Sequence, residues 1–394
     1  KRPPAMRMSA SLCCVWLCFF CDYCLMTMVL PIFPLLGASD FATGLLFSAK
    51  AACQIGISPL TSHFVDGNEK TLITLGLALE VSSVLVFAFT FDFKIWLAAR
   101  MLSGCASAAI ISGGLAHLKG VYKDGKERAV AIGLATTGII FGVCTGPAGG
   151  GVLYAINPAL PFVSLAAVQV LTILIALAFI PAAAPLSSDP SAGDLGSVRI
   201  AAMLRHPAVL CPLLGLMASN AGIACLETTY ARYVMSTFGF GVREAGVFFL
   251  VTTIPSCLMC GMAGTVGNRV GHRRLVMVGM GLQGLAIMLG PKSSLALEVV
   301  SLIGTGVGTG CVDGMTPTVL AEAADRHFQG TGKVFVLSNA AVQVGYVLGP
   351  ILGNAVVQVA GFEAASVAFG VVLLLTTPLL AGSAQLPKSE PLLG

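Results

Sequence analysis

Seven ionisable side chains stand inside long apolar runs of this chain: Asp22, Lys50, Glu80, Arg100, Glu227, Arg232 and Asp313. If those runs cross a bilayer, each charge costs about 2.5–3.5 kcal/mol to insert, so each is retained for pairing, binding or moving a proton. Carboxylates suit the last two tasks. They can hold an organic ammonium, with nearby rings adding cation–π attraction, and they can take up the proton that the ammonium excludes. Tyr23, Tyr230, Tyr233, Phe335 and Tyr346 are the candidate rings. The spacing Cys18-x-x-Cys21-x-x-Cys24 raises soft-metal ligation, but neither a second cysteine pair nor a histidine cluster accompanies it. Packing is the better reading of these cysteines, and no metal or cofactor is expected. The sequence has no Ser/His/Asp arrangement, phosphate-cradling loop or zinc motif, so the chain is not expected to be an enzyme.

The elements that must position these groups are helices. Of 394 residues, 56% are hydrophobic and 10% charged, against about 25% charged in a soluble protein. Cut into runs of about 20 apolar residues, the chain predicts twelve spans, at 12–36, 41–64, 71–91, 95–118, 128–154, 159–181, 208–237, 243–266, 275–290, 294–322, 331–357 and 363–383. These runs are continuous and far longer than the alternating segments of about 10 residues that build a membrane barrel, so the expected fold is all-α and polytopic. The first run is long, contains Asp22 and lacks a clear small-residue cleavage site; it is read as helix 1 rather than as a cleaved signal peptide. With both termini cytoplasmic, sixteen Lys and Arg residues fall inside and three outside, a strong positive-inside bias. The net charge of +4 therefore reports topology, and no nucleic-acid partner is read into it.

The longest polar interruption, 182–207, divides the chain into halves at 1–181 and 208–394 and reads as a cytoplasmic linker. The halves repeat a plan. "GVCTGPAGGG" (142–151) and "GYVLGPILGN" (345–354) share the frame G-x-x-x-G-P-x-x-G at an offset of 203 residues, and the same offset carries "DGNEK" from Asp66 onto "RVGHRR" from Arg269. Two independent features at one offset argue for duplication. Asp22 and Glu227 then fall in corresponding first helices, where they could face one another across a central cavity.

Several motifs resemble the major facilitator superfamily. "GTVGNRVGHRR" (264–274) is similar to its turn signature G-x-x-x-(D/N)-R-x-G-x-R-R, "RMLSG" (100–104) to R-x-x-x-G of helix 4, and Gly142, Gly146, Pro147, Gly150 and Gly151 to its helix 5 antiporter motif. A closer resemblance is to the vesicular amine transporters, which carry monoamines or acetylcholine, and it covers nearly the whole chain. It rests on D-x-x-L-x-T-x-V-x-P-I-x-P from Asp22 to Pro34, "GLLFSAKAACQ" (44–54) with Lys50, "NAGIACLE" (220–227) with Glu227, "GVGTGCVDGMTPTV" (306–319) with Asp313, and "GYVLGP" (345–350). The chain departs from the family at Asn339, where a helix 11 aspartate is expected to pair with the helix 2 lysine, at Tyr23 and Thr228, and in a short first loop at 37–43.

The resemblance implies a proton-coupled antiporter that takes a small organic cation from the cytoplasm into an acidic vesicle or other endomembrane compartment in exchange for lumenal protons. Its partners would be that cation, protons and the bilayer, and it is expected to work as a monomer. Asp22, Tyr23, Asn220, Glu227, Tyr230 and Tyr346 are the expected substrate contacts; Asp313, with Glu227 and Asp22, is expected to couple protons. Lys50 lacks its expected partner at Asn339, which leaves Glu80 or Asp22. Arg100 reads as structural or gating, and Arg232 either reaches the outer face or enters the cavity, where it would suit a zwitterion or anion. Two other readings remain: a broad-specificity drug/proton antiporter, which shares the arginine and glycine–proline motifs, and a non-transporting receptor on the same fold.

Overall fold

The structure, a computed structural model, describes residues 5–36, 39–65, 67–122, 125–181, 200–290, 294–328 and 332–382. Asp66, most of the expected linker (182–199) and the side chain of Phe335 lie outside them. The described residues form helices α1 (Ala5–Met28), α2 (Asp40–His63), α3 (Glu69–Phe89), α4 (Phe93–Val121), α5 (Gly125–Ile156), α6 (Leu160–Phe179), α7 (Ile200–Arg205), α8 (Pro207–Phe238), α9 (Val242–Phe248), α10 (Leu250–Val270), α11 (His272–Leu289), α12 (Leu295–His327) and α13 (Gly332–Gly382). Among the described residues, nine segments are long and apolar enough to span a membrane. The last of them bends at Gly361, whose φ of 84° breaks α13 into two helices, and the more polar α2 and α11 complete twelve crossings in two six-helix halves.

Departures from the expected boundaries have local causes. Helix 1 ends at Met28 rather than 36: turns follow, then a 3-10 turn over Phe33–Leu36, in a stretch where Pro31 and Pro34 supply no N–H to a helical ladder. The span expected at 243–266 is divided into α9 and α10 at Phe249. The expected linker ends in a short helix, α7, which the polar composition concealed. At the start of α4, Asp92 caps two free amides, its Oδ1 accepting from Lys94 N (2.8 Å) and Ile95 N (3.2 Å).

α6 shows why these helices need lipid. It buries Phe162, Leu165, Gln169 and Thr172 and leaves Leu171, Leu174, Leu177 and Phe179 exposed, the reverse of a water-facing surface but costless against acyl chains.

The chain forms two compact units. The first comprises 1–38, 49–187 and 239–250; the second comprises 39–48, 188–238 and 251–394. Each is built on the same close contact. In the first unit, a Cβ added at Gly138, Gly142, Gly146 or Gly150 of α5 would run into the backbone of α1 between Trp16 and Met28. In the second, Gly345, Gly349 and Gly353 of α13 lie likewise against Met217, Ala221 and Cys225 of α8. Glycines four residues apart let two helix backbones approach closely, so the repeated sequence frame is a repeated helix-packing device. The first unit also includes α9, whose Gly246 meets the Pro147 carbonyl. The second includes the start of α2, where Gly44 meets Pro350 and Ser48 Oγ donates to Val347 O (2.8 Å).

The arginine-rich turn signature is used as its glycines predict. Gly271, between α10 and α11, has φ of 95°, a conformation strained for other residues. Beside it His272 Nδ1 lies 2.6 Å from Glu322 Oε1, and Arg273 donates to Leu380 O (3.3 Å). The degenerate first-half counterpart keeps one such residue, Gly67, with φ of 77°.

Candidate functional site

In the first unit the buried charges converge on Asp22. Gly104 brings α4 against the Lys50 carbonyl of α2, and α1 places Asp22 beside both helices. Lys50 Nζ lies 2.7 Å from Asp22 Oδ1, and Ser107 Oγ of α4 donates to Oδ2 at 2.6 Å. Asp22 is 0% exposed and Lys50 3%. The Tyr23 ring lies 5.4 Å from the same ammonium, so one cation is held by a carboxylate, a hydroxyl-braced geometry and a ring face. Of the two partners open for Lys50, the structure uses Asp22 rather than Glu80.

Arg100 braces the end of α1. Its Nη2 donates to Met26 O at 3.2 Å and its guanidinium lies 5.3 Å from the centre of the Phe33 ring. Phe33 in turn packs on Trp96. Glu80 of α3 is 0% exposed, and neither of its oxygens receives a hydrogen bond. Cys18 and Cys21 are fully buried and Cys24 nearly so, and among the described residues no group of three or more His, Cys, Asp or Glu side chains converges as a metal site would.

In the second unit Asn220 of α8 donates to Asp313 Oδ1 of α12 (3.0 Å) and to Leu216 O (3.0 Å). Two turns further along α8, Glu227 Oε2 is buried without a hydrogen-bond donor. Tyr230 is buried and donates to Glu298 Oε2 (3.1 Å). Tyr346 packs on Phe47, with centroids 6.1 Å apart. Asn339 is exposed. The structure thus assembles Asp22, Tyr23 and Lys50 in one unit and Asn220 with Asp313 in the other, with Glu227 and Tyr230 on the same helix as Asn220.

Arg232 reaches the first residue of α2. It pairs with Asp40 at 2.7 Å, the side chains 32% and 22% exposed. The pair borders a cleft of about 450 Å³ that is also lined by Tyr233, Phe362 and Glu363, with Tyr233 stacked on Phe362 at 4.3 Å. A partly exposed ion pair is worth about 0.2–1 kcal/mol. Arg232→Ala is therefore expected to lower stability by no more than about 1 kcal/mol, read as the thermal unfolding midpoint in detergent. A collapse of folding would show instead that this pair holds the unit together.

Four participants escaped the sequence reading. Glu298 and Asp40 were assigned to no role, although Glu298 lies inside an expected span and is an ionisable residue by the same rule as the others. Ser107 and Gln169 carry no charge, and a lone serine or glutamine in an apolar helix gives no signal of its own.

The comparisons with known proteins follow this geometry. The model of the Major Facilitator Superfamily matches residues 15–330 and 213–392. The vesicular acetylcholine transporter of Mus musculus is 30% identical over 354 residues, covering 87% of this chain and 66% of its own length. The synaptic vesicular amine transporter of Bos taurus is 29% identical over 344 residues, covering 85% and 65%. The chain thus spans slightly under two thirds of these curated relatives. Among solved structures, a D323A mutant of the nucleoside transporter NupG aligns with a TM-score of 0.76 at 12% identity, over 95% of this chain and 99% of that one. A bacterial homolog of the human lysosomal transporter Spinster aligns at 0.74 and 17% identity, over 98% and 96%; both likenesses bear on the fold alone. By its family match and its fold, this chain is a multi-pass integral membrane protein that belongs to the Major Facilitator Superfamily, a family of transporters rather than enzymes.

Proposed function

We propose that the protein is a proton-coupled antiporter that carries a small organic cation out of the cytoplasm, in exchange for protons from the lumen of an acidic vesicle, by alternating access. The observation that carries this reading is the Asp22 carboxylate, fully buried and already holding an ammonium, that of Lys50, against the Tyr23 ring. A carboxylate that accepts an alkylammonium from its own chain has the charge, size and ring contact to accept one from a substrate. That relatives at about 30% identity are named for acetylcholine and amines supports the same substrate class.

Coupling requires sites where proton and cation exclude one another. Asp313 supplies one. Ionised, it accepts from Asn220; protonated, it no longer needs a cation to offset its charge. Lumenal protons reaching such carboxylates would discharge the cation, and return of the protonated form would carry protons to the cytoplasm. Glu227, with one buried oxygen lacking a donor, fits the same role.

Uptake into acid-inside proteoliposomes, with and without a proton ionophore, tests the reading across amines, zwitterions and anions. Accumulation of amines that the ionophore abolishes is expected. Flux of many unrelated cations would favour the drug antiporter, which the glycine–proline motif of α5 also fits, and no pH-dependent flux of any solute would favour the receptor. Asp313→Asn is expected to abolish proton-driven accumulation while leaving some cation exchange; unimpaired accumulation would remove Asp313 from the coupling.

A further inference from the structure

Glu80 is a buried carboxylate to which the exchange scheme above assigns no part. α3 and α6 run antiparallel: Lys70 Nζ donates to Leu177 O (2.7 Å) at one end, and the Phe87 and Phe162 rings stack at 5.9 Å at the other. Counting inward from these contacts brings Glu80 level with the stretch from Ala167 to Gln169. Both side chains are 0% exposed, and none of their four polar atoms, Glu80 Oε1 and Oε2 and Gln169 Oε1 and Nε2, makes a hydrogen bond among the described residues.

The surroundings leave an ionised Glu80 without compensation of its own. From α1 the negative charge of Asp22 opposes its ionisation, and the neutral thiols of Cys18, Cys21 and Cys24 supply no charge to offset it. From α2 it feels Lys50, which is held by Asp22. From α4, Arg100 is turned to Met26 O and the Phe33 ring, and Ser107 to Asp22. From α6 there are only the neutral Gln169 and Thr172. A buried charge without a partner costs several kcal/mol, about the cost that binding a proton removes.

We propose that Glu80 is a further proton-binding site, which holds a proton while Asp22 is paired with Lys50 and releases it to receive Lys50 when a substrate ammonium takes Asp22. This deepens the antiport reading and rests on it. The charges balance. Before exchange, Asp22 carries −1, Lys50 +1 and Glu80 none; afterwards Asp22 offsets the ammonium and Glu80 offsets Lys50, and one proton has left. One monovalent cation enters for each proton released, so the net charge of the buried cluster, to which Arg100 adds a constant +1, does not change during the exchange. The scheme also gives Lys50 a second acceptor in a chain that has Asn339 where the resemblance expects one.

Two measurements on the full-length purified protein decide it. The first is infrared difference spectroscopy of wild type against Glu80→Gln, a variant isosteric with the protonated acid. A protonated-carboxyl carbonyl band present in wild type and absent from Glu80→Gln is expected at neutral pH. Its absence from wild type overturns the proposal whether or not any amine is carried. The second is proton release on adding acetylcholine or phenethylamine in weak buffer. Wild type is expected to release a proton, Glu80→Gln to release none and to lose at least tenfold in proton-driven uptake, and Glu80→Asp to recover part of both. Equal proton release by wild type and Glu80→Gln overturns the role of Glu80 and leaves antiport standing, whereas a wild type that keeps the carbonyl band but takes up no cation overturns both antiport and the exchange step built on it.

Discussion

Lys50→Ala is expected to cost about 3–5 kcal/mol of stability, because it leaves the Asp22 carboxylate buried without the cation in direct contact with it. Asp22→Asn should cost less, since Glu80 remains as an acceptor for the ammonium of Lys50, itself only 3% exposed. The double variant Asp22→Asn/Lys50→Ala removes both charges together and should lose much less than the two single changes combined. The coupling between the two sites is then the signature of a direct buried pair, read from unfolding midpoints in detergent for all four proteins. Strictly additive losses would mean that the 2.7 Å contact carries no weight. None of the three variants should accumulate a cation, because the pair is the proposed binding apparatus as well as a structural element. The contrast with Arg232 and Asp40 is a matter of solvent: a half-buried pair keeps water to replace a lost partner, and the Asp22 pair has none.

The second large effect is expected at the paired glycine stripes. A Cβ at Gly146 would meet Thr27 Oγ1, the Cys24 carbonyl and the Met28 amide, and one at Gly349 would meet the backbone of Ala221. Backbone cannot turn aside as a side chain can, so Gly146→Leu and Gly349→Leu must push two helices apart. Overpacking of this kind costs about 1–3 kcal/mol, occasionally more, and here it separates the helices that carry Asp22 and Glu227. Gly149 provides the comparison, lying in the same motif with nothing within 4 Å of its added Cβ. Gly149→Leu should fold and transport as wild type, gaining up to about 1 kcal/mol of helix propensity. Matching losses at Gly146 and Gly149 would mean that the motif is needed for something other than close packing.

How much of this was legible beforehand depended on the physical signal each residue gives. The twelve spans, the duplication and the buried charges could be read because apolar length and insertion cost are properties of single segments. The partner of Lys50 could not, because both candidates lie in apolar helices and composition does not say which of them the ammonium reaches. The end of helix 1 was misplaced because its apolar residues continue past the prolines that stop it. Glu298 could have been found by applying the rule for buried charges throughout the chain. Ser107 and Gln169 could not, since their importance lies wholly in which neighbours they meet. The pairing of Arg232 with Asp40 could not be read either, because from sequence Asp40 lies within the short loop at 37–43.

The claim on which the account stands is that cation entry and proton exit are one event. Its most direct test uses reconstituted protein in acid-loaded vesicles with an internal pH indicator and a clamped membrane potential, to which quaternary ammonium ions are added from outside. Such ions cannot cross as neutral bases, so protein-free vesicles should not respond. The account predicts that the interior becomes more alkaline as the cation enters, and that Asp22→Asn and Asp313→Asn each remove the response. Entry of the cation with no change in internal pH would contradict it.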